Sequence, residues 1–218
     1  MPAAARGREP RPGGAVVVKL GGSLIESTHL SAWLAHLSAC RGRTILVAGG
    51  GPFADAVRLA QQQRPFADKA AHLMAILAME QYALMLAALE PGLRPAASRA
   101  AIAAARREGA TPIWLPNHMT AGAPDIPESW DVTSDSLAVW LARKLGLSRV
   151  LLVKSAALPA ANTSAAALAE AGIVDPLLPS FLAGSAIECR CIEAAGAADF
   201  AAALAAGRLA GTLLGAND

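Results

Sequence analysis

Ala15-Val16-Val17-Val18-Lys19-Leu20-Gly21-Gly22-Ser23 is the stretch whose reading decides the fold. An apolar, β-branched run with no polar alternation is the pattern of a strand buried on both faces, and the glycines at its end mark a tight turn. Lys19 is the anomaly inside it. An edge lysine snorkelling to water is the plain reading, but a lysine beside glycine N–H groups is better explained by phosphoryl charge. The grammar repeats at Thr44-Ile45-Leu46-Val47-Ala48, which runs into Gly49, Gly50 and Gly51 before Pro52, placed as a first-turn helix proline.

Outward from these two units, apolar spacings of three and four predict helices over 27–40, 53–63, 68–90, 100–108, 134–145 and 197–206. Apolar runs predict further strands over 111–115, 149–153, 186–192 and 211–214. Strands alternating with helices, without hairpin signals, give an α/β fold: a three-layer αβα sandwich around a mainly parallel sheet. The segment 116–130, with three prolines, reads as a long surface loop, and 155–167 as a flexible stretch without regular structure. The 68–90 helix is apolar around more than one stripe, so it is expected to be buried on most sides or to form a subunit contact.

Residues 1–14, rich in Arg, Pro and Gly, read as a disordered tail, and 15–214 as one domain. The chain has 218 residues, 54% hydrophobic and 17% charged, which excludes a polyelectrolyte or disordered protein. A net charge of +2 gives no ground for a nucleic-acid partner. Gly, Pro or a charge breaks each apolar stretch before the roughly 18 to 20 residues of a membrane span, so a soluble, cytoplasmic protein with no membrane partner is expected. Cys40, Cys189 and Cys191 cannot all pair; the last two are expected on opposite faces of a strand, and all three as buried free thiols.

Ligands of an open parallel sheet bind beyond the carboxyl ends of its strands, where both glycine clusters fall. The pair could hold two phosphate-bearing groups, since glycine N–H nests and helix N-termini attract anions. Neither cluster is a Walker sequence or a dinucleotide fingerprint, which disfavours a P-loop enzyme and a dehydrogenase. The third cluster is Ser129-Trp130-Asp131-Val132-Thr133-Ser134-Asp135-Ser136, where the long loop enters a helix. Thr133 or Ser134 is expected to cap that helix, and Asp135 to orient Lys19 and a second cation. Trp130 offers a flat apolar surface for a ring, a core tryptophan being the alternative, and Asp55 could meet a cationic group on the ligand. His72 reads as a packed or interface histidine more than a ligand contact.

In order along the chain, Val17–Ser23, Gly49–Gly51, Thr133–Ala138 followed by Leu141–Leu145, Val150–Val153 and Gly211–Leu214 resemble the amino acid kinase superfamily. More narrowly, the stretches 49–58, 68–76 and 129–136 are similar to the branch that converts an aminomethylfuran-methyl phosphate to its diphosphate in methanofuran-type one-carbon cofactor biosynthesis. The resemblance implies an ATP- and Mg2+-dependent kinase whose first half binds the acceptor and whose second half binds the nucleotide, assembled as a homo-oligomer, a dimer being favoured. It makes Lys19 and Asp135 catalytic. Gly21, Gly22, Ser23 and Lys154 are placed at the nucleotide phosphates, and Gly49, Gly50, Gly51, Asp55, Trp130, Asp131, Thr133 and Ser134 at the acceptor; which residues would ligate the metal is left unassigned. Two departures from the family pattern stand out. Ser155 replaces the start of an Asp-Val-Asp-Gly-type turn, and the segment near Asp175 to Pro179 lacks a second lysine, for which Lys154 is a substitute. These departures leave room for a noncatalytic nucleotide- or oxyanion-binding relative, or for a kinase of another phosphate or carboxylate.

Overall fold

The computed structural model describes residues 14–159 and 163–215, so all but the last residue of the expected tail lies outside the described residues. The opening run forms β1 (Val16–Leu20), with every residue buried, and β2 (Thr44–Ala48) is buried throughout too. Strands with no polar face need cover on both sides. The chain supplies it with α1 (Leu30–Ala39), α2 (Gly51–Gln63) and α3 (Asp68–Leu89), then β3 (Leu93–Ala96), α4 (Arg99–Arg107), β4 (Thr111–Trp114) and α5 (Asn117–Thr120). The second half adds α6 (Ser134–Leu145), β5 (Arg149–Lys154), α7 (Ala165–Glu170), α8 (Leu178–Leu182), β6 (Glu188–Glu193), α9 (Ala197–Ala205) and β7 (Thr212–Leu213). The strand order is β3-β4-β2-β1-β5-β6-β7, parallel except for the antiparallel β6–β7 pair. This is the three-layer α/β sandwich that the sequence predicts.

Alternation along β1 decides what each face carries. Val16, Val18 and Leu20 pack with Trp33 and Leu37 of α1 and Phe200 of α9. Val17 packs with Leu137 and Leu141 of α6, with Val150 and Leu152 of β5, and with Cys189 and Cys191 of β6. Lys19, two residues after Val17, therefore emerges under α6. It lies in register with Leu152, and Lys154, two residues beyond Leu152, emerges on that same face. Two lysines distant in sequence thus meet at adjacent strand ends. Cys189 and Cys191 also share this face rather than opposing ones, because residues two apart in a strand point the same way.

Several elements depart from the sequence reading. β3 contains Pro95 yet pairs with β4, which is possible because it is the edge strand and one side needs no amide donor. α5 interrupts the expected 116–130 loop. α7 begins inside the expected 155–167 irregular stretch, its start capped by the Ser164 side chain accepting from the Ala167 N–H at 3.1 Å. α8 has no counterpart in the sequence reading.

α3 is 22 residues long with mean hydropathy 1.5, enough by length and composition to cross a membrane. In this fold Ala71, Ile76, Met79, Tyr82 and Leu86 face the interior, while Leu73, Met74, Leu77, Leu84 and Leu89 are exposed. The helix is thus buried along one side and apolar on both.

The two glycine clusters touch each other. A Cβ on Gly22 would stand 2.3 Å from the Gly51 nitrogen, and one on Gly49 would stand 2.5 Å from the Gly22 nitrogen. Only glycine permits two backbones to approach this closely. Gly51 also has φ +53, a left-handed conformation at the start of α2. Gly22→Ala is expected to part the loops and destabilise the fold by about 1–3 kcal/mol, as overpacking does. A denaturation midpoint equal to that of the unaltered chain would contradict this contact.

Candidate active site

The ends of β1, β2 and α6 enclose a cavity of about 360 Å³. Lys19, Gly22, Ser23, Gly49, Gly50, Gly51, Thr133 and Ser134 give it a polar wall, and Ile76, Met79, Val132 and Leu137 an apolar one. Asp55, Arg58, His72 and Trp130 also line it, with Glu26 beside the turn after β1.

Behind the polar wall, in the first turn of α6, lies Asp135, only 2% exposed; it does not line the cavity itself and reaches it through Lys19. One carboxylate oxygen lies 3.0 Å from the Lys19 Nζ, and the other pairs with the Lys154 Nζ. Burial opposes ionisation of Asp135, but the two ammonium groups outweigh it and hold the carboxyl below the usual range. The lysines differ. Burial works against charge on Lys19, yet Asp135, with Asp175 behind it, holds it above the ordinary lysine value. Burial and then the Lys19 charge carry Lys154 below that value, against the pull of Asp135.

Asp175 lies in the segment between α7 and α8, and its Oδ2 accepts from the backbone N–H of Thr133 at 3.0 Å and of Ser136 at 2.9 Å. The Thr133 hydroxyl donates to its other oxygen. The expectation that Thr133 or Ser134 caps α6 is therefore corrected: the Thr133 side chain makes no cap, and the oxygen that satisfies these amides comes from about 40 residues downstream. Local sequence cannot reveal a cap supplied from such a distance.

Most of the residues expected at the acceptor line this cavity, and Gly22 and Ser23, expected at the nucleotide phosphates, line it with them; there are exceptions. Gly21 does not line the cavity; a Cβ there would lie 3.6 Å from the Lys19 Nζ. Asp131 is exposed and faces Ser129 rather than the cavity. Lys154 joins the site through Asp135, not as lining. Ser23 bonds Ser155 at 2.7 Å, tying the glycine turn of β1 to the segment after β5. Asp55 is paired with Arg58 at 3.0 Å, and the Arg58 guanidinium lies 4.4 Å from the centroid of the Trp130 ring. That ring face is therefore covered, and the Trp130 Nε1–H donates to Gln61 at 2.8 Å. Arg58 and Glu26 are charged cavity residues the sequence reading passed over; the signal for Arg58 is its place three positions after Asp55 on the outer face of α2. His72 neither lies free nor packs passively, for its Nδ1 is 3.1 Å from the Ser129 carbonyl and holds the loop to α3.

A second cavity, of about 470 Å³, lies beyond the ends of β5 and β6, lined by Leu158, Pro159, Cys191, Ile192, Glu193 and Gly211 among others. Among the described residues, no three His, Cys, Asp or Glu side chains come together as a metal cage.

Residues 14–157, well over half of the chain, match the amino acid kinase family. The chain belongs to that family. Among solved structures, its fold is similar to uridylate kinase from Archaeoglobus fulgidus, with TM-score 0.66 and 15% identity over 92% of this chain and 100% of that one. It is also similar to an isopentenyl phosphate kinase, with TM-score 0.58 and 15% identity over the same shares. UMP kinase from Ureaplasma parvum gives TM-score 0.59 and 13% identity over 83% of this chain and 89% of that one. Comparison with curated proteins gives no match. In this member of the amino acid kinase family, Lys19 and Asp135 occupy one buried cluster and Lys154 supplies its second cation.

The cluster predicts unequal stability effects. Asp135→Ala leaves two buried ammonium groups unpaired and should cost about 3–5 kcal/mol. Lys19→Met leaves Asp135 with Lys154 and should cost much less. Equal losses in urea denaturation would contradict a shared carboxylate.

Proposed function

We propose that the chain is an ATP-dependent small-molecule kinase that transfers a phosphoryl group to an acceptor oxygen that is already anionic. The observation that carries this reading is the occupation of Asp135: both its oxygens are engaged by lysines, so it is not placed to take a proton from a hydroxyl. A phosphate or carboxylate acceptor needs no such base, and catalysis reduces to positioning and charge neutralisation. Replacing such a buried cluster by apolar residues is often neutral or stabilising, so its presence argues for chemistry over stability.

In this reading Lys19 faces the transferring phosphoryl, Lys154 approaches it from the nucleotide side, and the N–H groups around Gly22 and Gly49 to Gly51 receive phosphate oxygens. Ile76, Met79, Val132 and Leu137 suit a small apolar body. An aminomethylfuran-methyl phosphate, converted to its diphosphate, fits that demand and the sequence resemblance. Arg58 bears on the furan inference: because the guanidinium covers one face of Trp130, the ring acts as a brace between loop and α2 as much as a platform for the acceptor. A noncatalytic oxyanion binder is the second reading, favoured by Ser155 standing bonded to Ser23 where the family turn would begin.

Incubation with MgATP and candidate phosphomonoesters, reading ADP release, separates the two. Acceptor-dependent ADP release is expected, with Lys19→Met lowering turnover by about 100- to 10,000-fold, as loss of a preorganised donor does. Trp130→Ala should raise the acceptor KM well above any change for ATP. ADP release unaffected by acceptor, or by Lys19→Met, would overturn the kinase reading.

We also assign the exposed apolar residues of α3 to a contact with a second copy of the chain, because Leu73, Met74, Leu77 and Leu84 lie exposed along one side of the helix, where a lone subunit would leave them in water. Light scattering should give twice the 22.2 kDa chain mass, and Leu77→Glu should halve it. A monomer at micromolar concentration would contradict the assignment.

A further inference from the structure

Asp175 stands outside the chemistry assigned so far, yet it is 6% exposed and carries three hydrogen bonds to the first turn of α6. Those bonds fall on Thr133 and Ser136, the positions flanking the cavity residue Ser134 and the lysine-holding Asp135. The neighbouring Leu177 N–H donates to the Asp131 carbonyl at 3.3 Å, so the α7–α8 segment clasps the 131–136 stretch at two levels. α6 has no other side-chain cap among the described residues. The clasp crosses from the half expected to hold the nucleotide to the wall of the acceptor cavity.

From this geometry we propose that Asp175 is a positioning residue, fixing the start of α6 so that Asp135 presents Lys19 and Lys154 at one point while Thr133 and Ser134 face the acceptor. The proposal rests on the kinase reading for its consequence, not for its geometry. The carboxylate acts through the amides it caps. Asn can serve as the same cap, since its Oδ1 accepts from both N–H groups and its Nδ2 donates to the Thr133 hydroxyl. Burial and the nearby Asp135 charge push the Asp175 carboxyl above its ordinary 3.8. Between 3.8 and the raised value the folded chain binds the proton more tightly than the unfolded one, so stability falls as pH rises through that window. A neutral isostere is therefore expected to fold at least as well near neutral pH.

The test compares Asp175→Ala and Asp175→Asn with the unaltered full chain. Acceptor-dependent ADP release and amide hydrogen exchange over 133–137 are measured, with thermal melts as control. Asp175→Ala should lower kcat by about 100-fold, as a small misplacement of catalytic groups does, with KM for MgATP within about threefold, and should speed exchange of the Ser136 amide. Asp175→Asn should keep kcat within about threefold and keep that amide protected. Unchanged turnover in a folded Asp175→Ala chain, or unchanged Ser136 exchange, would overturn the proposal. So would loss of turnover by more than about tenfold in folded Asp175→Asn, which decides alone if the Ala chain does not fold. If the unaltered chain releases no ADP with any acceptor, the kinase reading fails, while Ser136 exchange in the two variants still decides what Asp175 holds.

Discussion

A single buried carboxylate with a lysine on each oxygen sets the terms for everything around it. Asp135 can be ionised in that position only because Lys19 and Lys154 hold it so, and each lysine is tolerated only because Asp135 faces it. The sheet makes the meeting possible. β1 and β5 are adjacent and parallel, and their register brings two strand-end residues of equal parity onto the face under α6. α6 must then begin at one depth, and the downstream Asp175 cap and the glycine contacts between the β1 and β2 turns keep the surrounding backbone there.

Charge distribution follows from the same arrangement. Lys19 is held as a firm cation, whereas Lys154 gives up its proton more readily, because burial and its neighbour depress it. Any anion brought beside Lys154 would draw it back toward the charged form. Burial pushes the Cys191 thiol up to about 12, so this thiol packs beside the lysines as a neutral group.

Much of the fold and site is legible in the chain because it is written locally. Val16 to Ser23 and Thr44 to Gly51 state strand and glycine turn within nine residues, and the parallel topology follows from their repetition. Lys19 announces itself by polarity in an apolar run. What stays hidden depends on distant partners. Pro95 argues against a strand until β3 is seen to be an edge. The Thr133 and Ser134 side chains look like local caps because the residue that does cap α6, Asp175, is remote. Arg58 carries no signal of its own beyond its spacing from Asp55 until Trp130 is found beneath it, and Asp131, between two cavity residues, faces Ser129 instead.

Delivery of both lysines by Asp135 to one transferring phosphoryl group is tested most directly by a structure of the chain with MgADP, aluminium fluoride and a phosphomonoester acceptor. The Lys19 and Lys154 Nζ atoms should each lie within about 2.7–3.2 Å of the fluoroaluminate while remaining bonded to Asp135. A fluoroaluminate bound away from Lys19, or a Lys154 turned from it, would contradict that delivery.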